Sequence, residues 1–200
     1  MQTVLKGRGL DHALSIKIKP GEIMTDELLD IVNDEDIVID QQMRSTVHKL
    51  GLQHRGVHVL LFTLDEKMLV QKRSADRAAS PSALDCSISE HVKAGESYLD
   101  AALRGLQEEM GVEGVEIKPV VKIKMNYGPN DNEISMIYQG RVDPGLVKFD
   151  PVEIDEVDYY SISELQEMMR AGNLEFCRWF IEIMNWYTQQ EANLIVLKEY

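Results

Sequence analysis

Residues 95–112, GESYLDAALRGLQEEMGV, constrain this chain more than any other stretch. The run reads as a helix, yet it places Gly105 between Arg104 and the pair Glu108 and Glu109. A glycine inside a helix costs about 1 kcal/mol relative to alanine, so something other than helix stability selects it. Advancing by about 100° per residue from Ser97 puts Leu99, Ala102, Leu103, Leu106 and Met110 on one arc, the expected apolar face. Ala101, Gly105, Glu108, Glu109 and Val112 fall on the opposite side. Two carboxylates beside small residues suit a hard divalent cation, which takes oxygen ligands and retains waters and substrate phosphates. The alternative is a solvated pair with Arg104 bound to Glu108 at i,i+4.

The elements around this helix set the fold class. LLDIVNDEDIVIDQQMR (28–44) reads as two short strands around an Asn-Asp-Glu-Asp turn, and STVHKLG (45–51) as a short helix with Ser45 or Thr46 as cap and Gly51 as stop. VHVLLFTLDEKMLVQKRS reads as a hairpin, and LDCSISEHV alternates as one strand ended by Gly95. VEIKPVVKIKMNY and NEISMIYQGRV form two more strands around the turn at 128–131. EVDYYS is a strand, SISELQEMMRAG a helix capped by Ser161 or Ser163, and EFCRWFIEIMNWYTQQ a second helix. Strands, helix, strands, helices indicate an α/β (α+β) sandwich with a mixed sheet. We expect an N-terminal extension over 1–26, one domain over 27–191 and a C-terminal tail over 192–200.

Composition removes several function classes. The 200 residues carry 34 acidic against 21 basic side chains, a formal charge of −13, which opposes attraction to a nucleic-acid backbone. No apolar run approaches the roughly 20 residues that span a bilayer, and the N-terminus lacks a secretory apolar core, so no membrane partner and a cytoplasmic location are expected. The two cysteines, Cys86 and Cys177, have no CxxC spacing and read as reduced core thiols.

The segment EHVKAGESYLDAALRGLQEEMGV resembles the Nudix box, G-x5-E-x7-R-E-U-x-E-E-x-G-U with U aliphatic. Glu96, Arg104, Leu106, Glu108, Glu109, Gly111 and Val112 match it; Glu90 stands at the leading glycine and Gly105 at the first helix glutamate. The resemblance implies the Nudix α/β/α sandwich and a small-molecule diphosphate substrate. It also implies Glu108 and Glu109 as ligands to Mg²⁺ or Mn²⁺, with Arg104 as their orienting partner. Family members often use the residue at the Gly105 position as metal ligand or general base. We expect Glu133 to serve as base instead, with the missing side chain leaving room for a second cation or a bulkier substrate.

A second resemblance is to the metal-dependent isopentenyl-diphosphate isomerases, which share this fold. His48, His54, His91, Asp131 and Glu133 match that family's metal ligands, with one spacing shifted and Asp replacing a Glu. FCRWF resembles its FSPW segment and places Trp179 at an active-site aromatic. The isomerase cysteine falls on Ser89, a far weaker acid and nucleophile than a thiol. Cys86, three residues earlier, is expected on the other face of the strand, and His58 is expected to be structural. Lys72 and Arg73 are candidate phosphate contacts or, equally, surface charges. The expected function is metal-dependent hydrolysis of a diphosphate linkage in a nucleoside diphosphate-X or related compound. An isomerase-like enzyme and a diphosphate-binding module without turnover are the alternatives, and a homodimer is left open.

Overall fold

The computed structural model describes residues 26–128 and 130–200. The expected N-terminal extension therefore lies outside the described residues except for Asp26. Strands β1 (Leu28–Val32) and β2 (Val38–Met43) close a hairpin on Asn33, whose Oδ1 accepts from the Glu35 and Ile37 N–H groups at 3.1 and 2.9 Å. Helix α1 (Arg44–Leu50) follows directly and ends at Gly51 with φ +63°. Its expected cap residue is engaged elsewhere, for the Ser45 hydroxyl and N–H both bond the Asp26 carboxylate, at 2.6 and 3.0 Å.

Strand β3 (Gln53–Phe62) turns into β4 (Met68–Arg73) as the sequence predicts. The next expected strand is two, β5 (Leu84–Asp85) and β6 (Ile88–His91), because the chain changes partner at Cys86 and Ser87. β5 pairs with β4 and β6 with β3. Ser87 stitches the crossing, donating to the Leu69 carbonyl at 2.7 Å and accepting from the Leu61 N–H at 2.9 Å.

Helix α2 (Tyr98–Met110) is capped by Ser97 and stopped by Gly111 at φ +61°. Then come β7 (Ile117–Gly128), β8 (Asp131–Arg141), β9 (Ile154–Tyr160), α3 (Ile162–Ala171), α4 (Arg178–Tyr187) and β10 (Leu194–Glu199). The segment expected as a tail is therefore β10, which pairs antiparallel with β7. The sheet runs β10-β7-β8-β3-β1-β2, with β4 leading from β3 to β9. The β3–β8 pair is parallel and the other paired strands are antiparallel, which makes the sheet mixed.

Two cores follow from the period-2 alternation of β3. Val57, Val59 and Leu61 pack with Ala102, Leu106 and Met110 of α2. Leu60 and Phe62 pack on the other face with Leu165 of α3 and Phe180, Ile183 and Met184 of α4. The buried face of α2 is turned from the expected one. Leu99 and Leu103 are 44% and 40% exposed, whereas Ala101, Gly105 and Glu109 join Ala102, Leu106 and Met110 inside. Small residues let the helix backbone approach the sheet, and that close approach outweighs burial of two leucines.

Candidate active site

A cavity of about 300 Å³ gathers side chains from α1, β3, β4, β6, α2, β7, β8 and α4. His48 on α1, His54 on β3 and His91 on β6 converge, each pair of rings with centroids 5.1 Å apart. Their ring nitrogens offer ligand atoms within 4.8 Å of one another, as do His54, Asp131 and Glu133. Parallel pairing of β3 with β8 sets His54 directly beside Glu133, which is how residues so distant in sequence meet. Gly56 makes the space: a Cβ there would collide with the Glu133 carboxylate and stand 3.0 Å from Ser135 Oγ. Sequence reasoning missed Gly56, for only the register of β3 against β8 shows what the glycine accommodates.

His54 is wholly buried, and its Nδ1 faces the Leu52 carbonyl at 3.0 Å. A carbonyl only accepts, so Nδ1 carries a hydrogen; Nε2 is left to present a lone pair to a metal ion or, without one, to take a proton, for the Glu133 carboxylate outweighs burial and raises the His54 pKa. That Nε2 lies 3.4 Å from Glu133 Oε1 and 3.9 Å from Asp131 Oδ1, and both Nε2 and Asp131 Oδ1 are buried without a hydrogen-bond partner. Lone pairs facing one another in a dry place call for a cation or a proton between them. Three imidazoles and two carboxylates are a donor set that fits a divalent metal ion. Without one, burial and the neighbouring Glu133 charge push the Asp131 carboxyl up to about 7. Burial opposes ionisation of Glu133 too, but His54, His91 and His58 outweigh it and hold this carboxyl far below the usual range. Burial drives the His91 imidazole well down, keeping it neutral as a ligand must be.

Beside this cluster lies a second one. Glu90 on β6, Glu109 on α2 and Glu153 offer oxygens within 4.8 Å of one another. Gln71 donates to Glu109 Oε2 at 2.9 Å, and burial together with the Glu90 charge raises the Glu109 carboxyl well above its ordinary value. Of the expected pair only Glu109, 5% exposed, is in the cluster. Glu108, its side chain 56% exposed, sits at the rim and pairs with Arg104 at 3.2 Å, since adjacent helix residues point about 100° apart. Arg104 binds Glu96 at 2.9 Å, Glu90 at 3.0 Å and the His91 carbonyl at 2.8 Å, so it ties the helix to β6.

Gly105 leaves no free room. A Cβ there would lie 2.7 Å from Ile88 Cγ2 and 2.9 Å from Glu90 Cγ. The two departures from the box thus meet face to face: the glutamate at the glycine position lies across the glycine at the glutamate position. Arg73 lines the cavity, binding Asp85 at 3.1 Å and standing 5.6 Å from the Trp179 ring centre. Lys72 does not line it, because neighbouring strand residues point to opposite faces. Arg44 and Arg77, unforeseen from sequence, also line the cavity, and Arg77 binds Glu153 at 2.8 Å. Their signal was present only as isolated basic residues.

Ser89 and Trp179 meet in the cavity wall, the indole Nε1 donating to Ser89 Oγ at 3.1 Å. His58, expected to be structural, lines the cavity, and its Nδ1 is 3.0 Å from Ser89 Oγ. One expectation fails here: Cys86 is not turned away, with Sγ 3.0 Å from Ser89 Oγ, since the partner change between β5 and β6 breaks the alternation that the prediction assumed. Burial raises its thiol well above the ordinary range, so it stays protonated.

Comparison with known proteins agrees with this geometry. The NUDIX domain family model matches residues 52–180. The chain is 34% identical over 154 residues to "Uncharacterized Nudix hydrolase SCO1686" of Streptomyces coelicolor, covering 76% of this chain and 82% of the relative. It is 32% identical over 163 residues to an isopentenyl-diphosphate Delta-isomerase of Serratia proteamaculans, covering 80% and 90%. The solved structure of DR0079 from Deinococcus radiodurans superposes with a TM-score of 0.69 at 25% identity, covering 80% of this chain and 98% of that one. Among the described residues no helix is long and apolar enough to cross a membrane. With the family model matched over most of the chain and Arg104, Glu108 and Glu109 of the box lining one cavity, the chain belongs to the Nudix family and is an enzyme of its hydrolase class.

Proposed function

We propose that the protein hydrolyses a diphosphate linkage in a nucleoside diphosphate-X or related small molecule, with Mg²⁺ or Mn²⁺ as cofactor. One observation carries the reading: Arg44, Arg73 and Arg77 share a cavity with two ligand clusters rich in carboxylate. A diphosphate entering that cavity is repelled by the carboxylates and attracted by the arginines, so binding requires the carboxylates to be neutralised by cations. A bound divalent ion supplies charge neutralisation for phosphate oxygens and lowers the pKa of a coordinated water.

Glu109, Glu90 and Glu153 would hold one such ion, and His48, His54, His91, Asp131 and Glu133 another. Glu108, the ligand the box resemblance implies, serves instead as a rim partner of Arg104. Arg73 and Arg77 orient the diphosphate from the β4 side, and Arg44 from the α1 side. Glu133, kept ionised by the surrounding imidazoles, accepts the proton of the attacking water. Arg104 holds Glu90 and Glu96 in place and is fully engaged by them together with Glu108 and the His91 carbonyl.

The test is metal-dependent release of phosphate or a nucleoside monophosphate from a panel of nucleoside diphosphates, diphosphate sugars and isoprenyl diphosphates. Turnover with Mg²⁺ or Mn²⁺ that EDTA abolishes supports the reading. No turnover from any member refutes it. A second reading, isomerisation of isopentenyl diphosphate, is favoured by the three-histidine cluster and the Serratia proteamaculans relative. Ser89 in place of a thiol opposes it, because a hydroxyl is a poor acid toward an alkene carbon.

A further inference from the structure

Arg73, the last residue of β4, lines the cavity with its guanidinium held at three points. Its Nη1 donates to Asp85 Oδ2 at 3.1 Å, its Nε donates to the Ala79 carbonyl at 3.2 Å, and its Cζ stands 5.6 Å from the Trp179 ring centre. A guanidinium carries five N–H donors, so these two bonds leave three for whatever occupies the cavity.

Asp85 makes the arrangement a fixed one. It is wholly buried in β5, and its Oδ1 accepts from the Cys86 N–H at 2.8 Å, the Trp179 indole N–H at 2.7 Å and the Ser89 hydroxyl at 3.0 Å. One carboxylate therefore joins β4, β5, β6 and α4 at the cavity wall, accepting from every partner. Ser89 has a single hydroxyl hydrogen, and with that spent on Asp85 it has none to give a substrate. On this side of the cavity the donors that remain are those of Arg73.

We propose that Asp85 is a positioning residue for substrate: it fixes the Arg73 guanidinium against the Trp179 indole before anything enters, so that the remaining N–H groups of Arg73 meet the oxygens of a diphosphate as a set. This role rests on the hydrolase reading, in which the cavity takes a diphosphate, and it bears on binding, not on the chemical step. Recognition by a planar fork depends on parallel N–H groups sharing one orientation. A free arginine loses rotamer freedom when it grips a phosphate, whereas one already held by a carboxylate, a carbonyl and a ring has lost that freedom in folding. The carboxylate also offsets the charge of Arg73, so the pair attracts phosphate through the placement of its donors more than through net charge.

The test uses the full-length protein with Mg²⁺ and methylenediphosphonate, whose carbon bridge cannot be hydrolysed, so it reads binding without turnover. In Asp85→Asn an amide that keeps the contacts at Oδ1 turns its NH₂ group toward Arg73 Nη1, donor against donor. Titration calorimetry should show an affinity about tenfold or more below that of the unmodified protein. With the panel substrate turned over fastest, KM should rise by a similar factor while kcat changes by less than about threefold. Made in an Arg73→Lys background, the same substitution should cost less than about twofold, because its effect passes through the guanidinium. Equal losses in the two backgrounds overturn the proposal, as does unchanged affinity in a folded Asp85→Asn. Nitrogen-15 NMR of the arginine side chains tests the same point with Asp85 intact and no diphosphonate present. The two Nη nitrogens of Arg73, identified by their loss in Arg73→Lys, should give separate signals, since the bond to Asp85 stops rotation about Cζ–Nε. A single averaged signal overturns the proposal, and so does failure of methylenediphosphonate to bind the unmodified protein. Binding as expected with no panel member turned over refutes the hydrolase reading alone.

Discussion

Replacing Gly105 with glutamate restores the residue that the box pattern places there, and the structure predicts that this alone is harmful. The new Cβ would stand 2.7 Å from Ile88 Cγ2 and 2.9 Å from Glu90 Cγ, closer than packed carbons approach. Overpacking of this kind costs about 1–3 kcal/mol, whereas removing a helix glycine returns at most about 1 kcal/mol. With the full return the net cost is up to about 2 kcal/mol, so Gly105→Glu should lower Tm by up to about 8 °C, at the roughly 2–4 °C per kcal/mol expected for a chain of this size. Glu90→Ala removes the obstructing Cγ, loses an Arg104 partner and takes one carboxylate from the cluster. It should weaken Mg²⁺ binding by tenfold or more. The double variant relieves one of the two collisions and returns a carboxylate to the same place. Its two effects should not add, with a coupling of about 1 kcal/mol or more in its favour. The assay is thermal unfolding of the four proteins in EDTA, followed by Mg²⁺ titration calorimetry with His54→Gln added to weaken the histidine site. Strict additivity in both measurements would refute the idea that Glu90 and Gly105 form an exchanged pair.

Other substitutions sort the candidate ligands. Glu109→Gln should reduce turnover by a hundredfold or more, the loss expected when a catalytic metal is displaced, while Glu108→Gln at the rim should change it by less than about fivefold; steady-state kinetics with saturating Mg²⁺ separates the two. Arg73→Lys removes a planar fork over Trp179 and should raise KM for the best panel substrate about tenfold with a smaller change in kcat. Asp131 tests the pH linkage. Its folded pKa, about 7, exceeds the unfolded value near 3.8, so ionising it costs the metal-free fold increasingly from pH 4 to 7 and by a constant amount above. Asp131→Asn should therefore gain in Tm over the unmodified protein across that window in EDTA, measured by scanning calorimetry. Saturating Mn²⁺ should reverse the order, because an amide is the poorer ligand.

The histidine cluster was legible from sequence through the isomerase resemblance, which matched residues far apart in the chain. His48, His54, His91, Asp131 and Glu133 converge as the isomerase resemblance implied. Glu90 and Glu153 were not legible as partners of Glu109: the box pattern marks Glu90 as a misfit, and Glu153 lies in a connection whose path depends on the fold. The rotation of α2 escaped the sequence because leucine and alanine count alike as apolar, whereas packing distinguishes them by how closely the backbone approaches. Period-2 reasoning separated Lys72 from Arg73 only after the face of β4 toward the cavity was known. It failed at Cys86, where the chain leaves β4 for β3. A sandwich with a mixed sheet followed from element order and its Nudix identity from the box resemblance, while β10, mostly exposed and short, resembled a tail because its support is backbone pairing with β7.

On the proposed hydrolase reading, this cavity adds water to phosphorus and does not move a proton between carbons. The most direct measurement is mass spectrometry of nucleoside diphosphates, diphosphate sugars and isopentenyl diphosphate incubated with the protein and Mg²⁺ in oxygen-18-labelled heavy water. Oxygen-18 is expected in a phosphate released from at least one diphosphate, and no deuterium bound to carbon in isopentenyl diphosphate. Deuterium on carbon in isopentenyl diphosphate, with no oxygen-18 in any released phosphate, would contradict it.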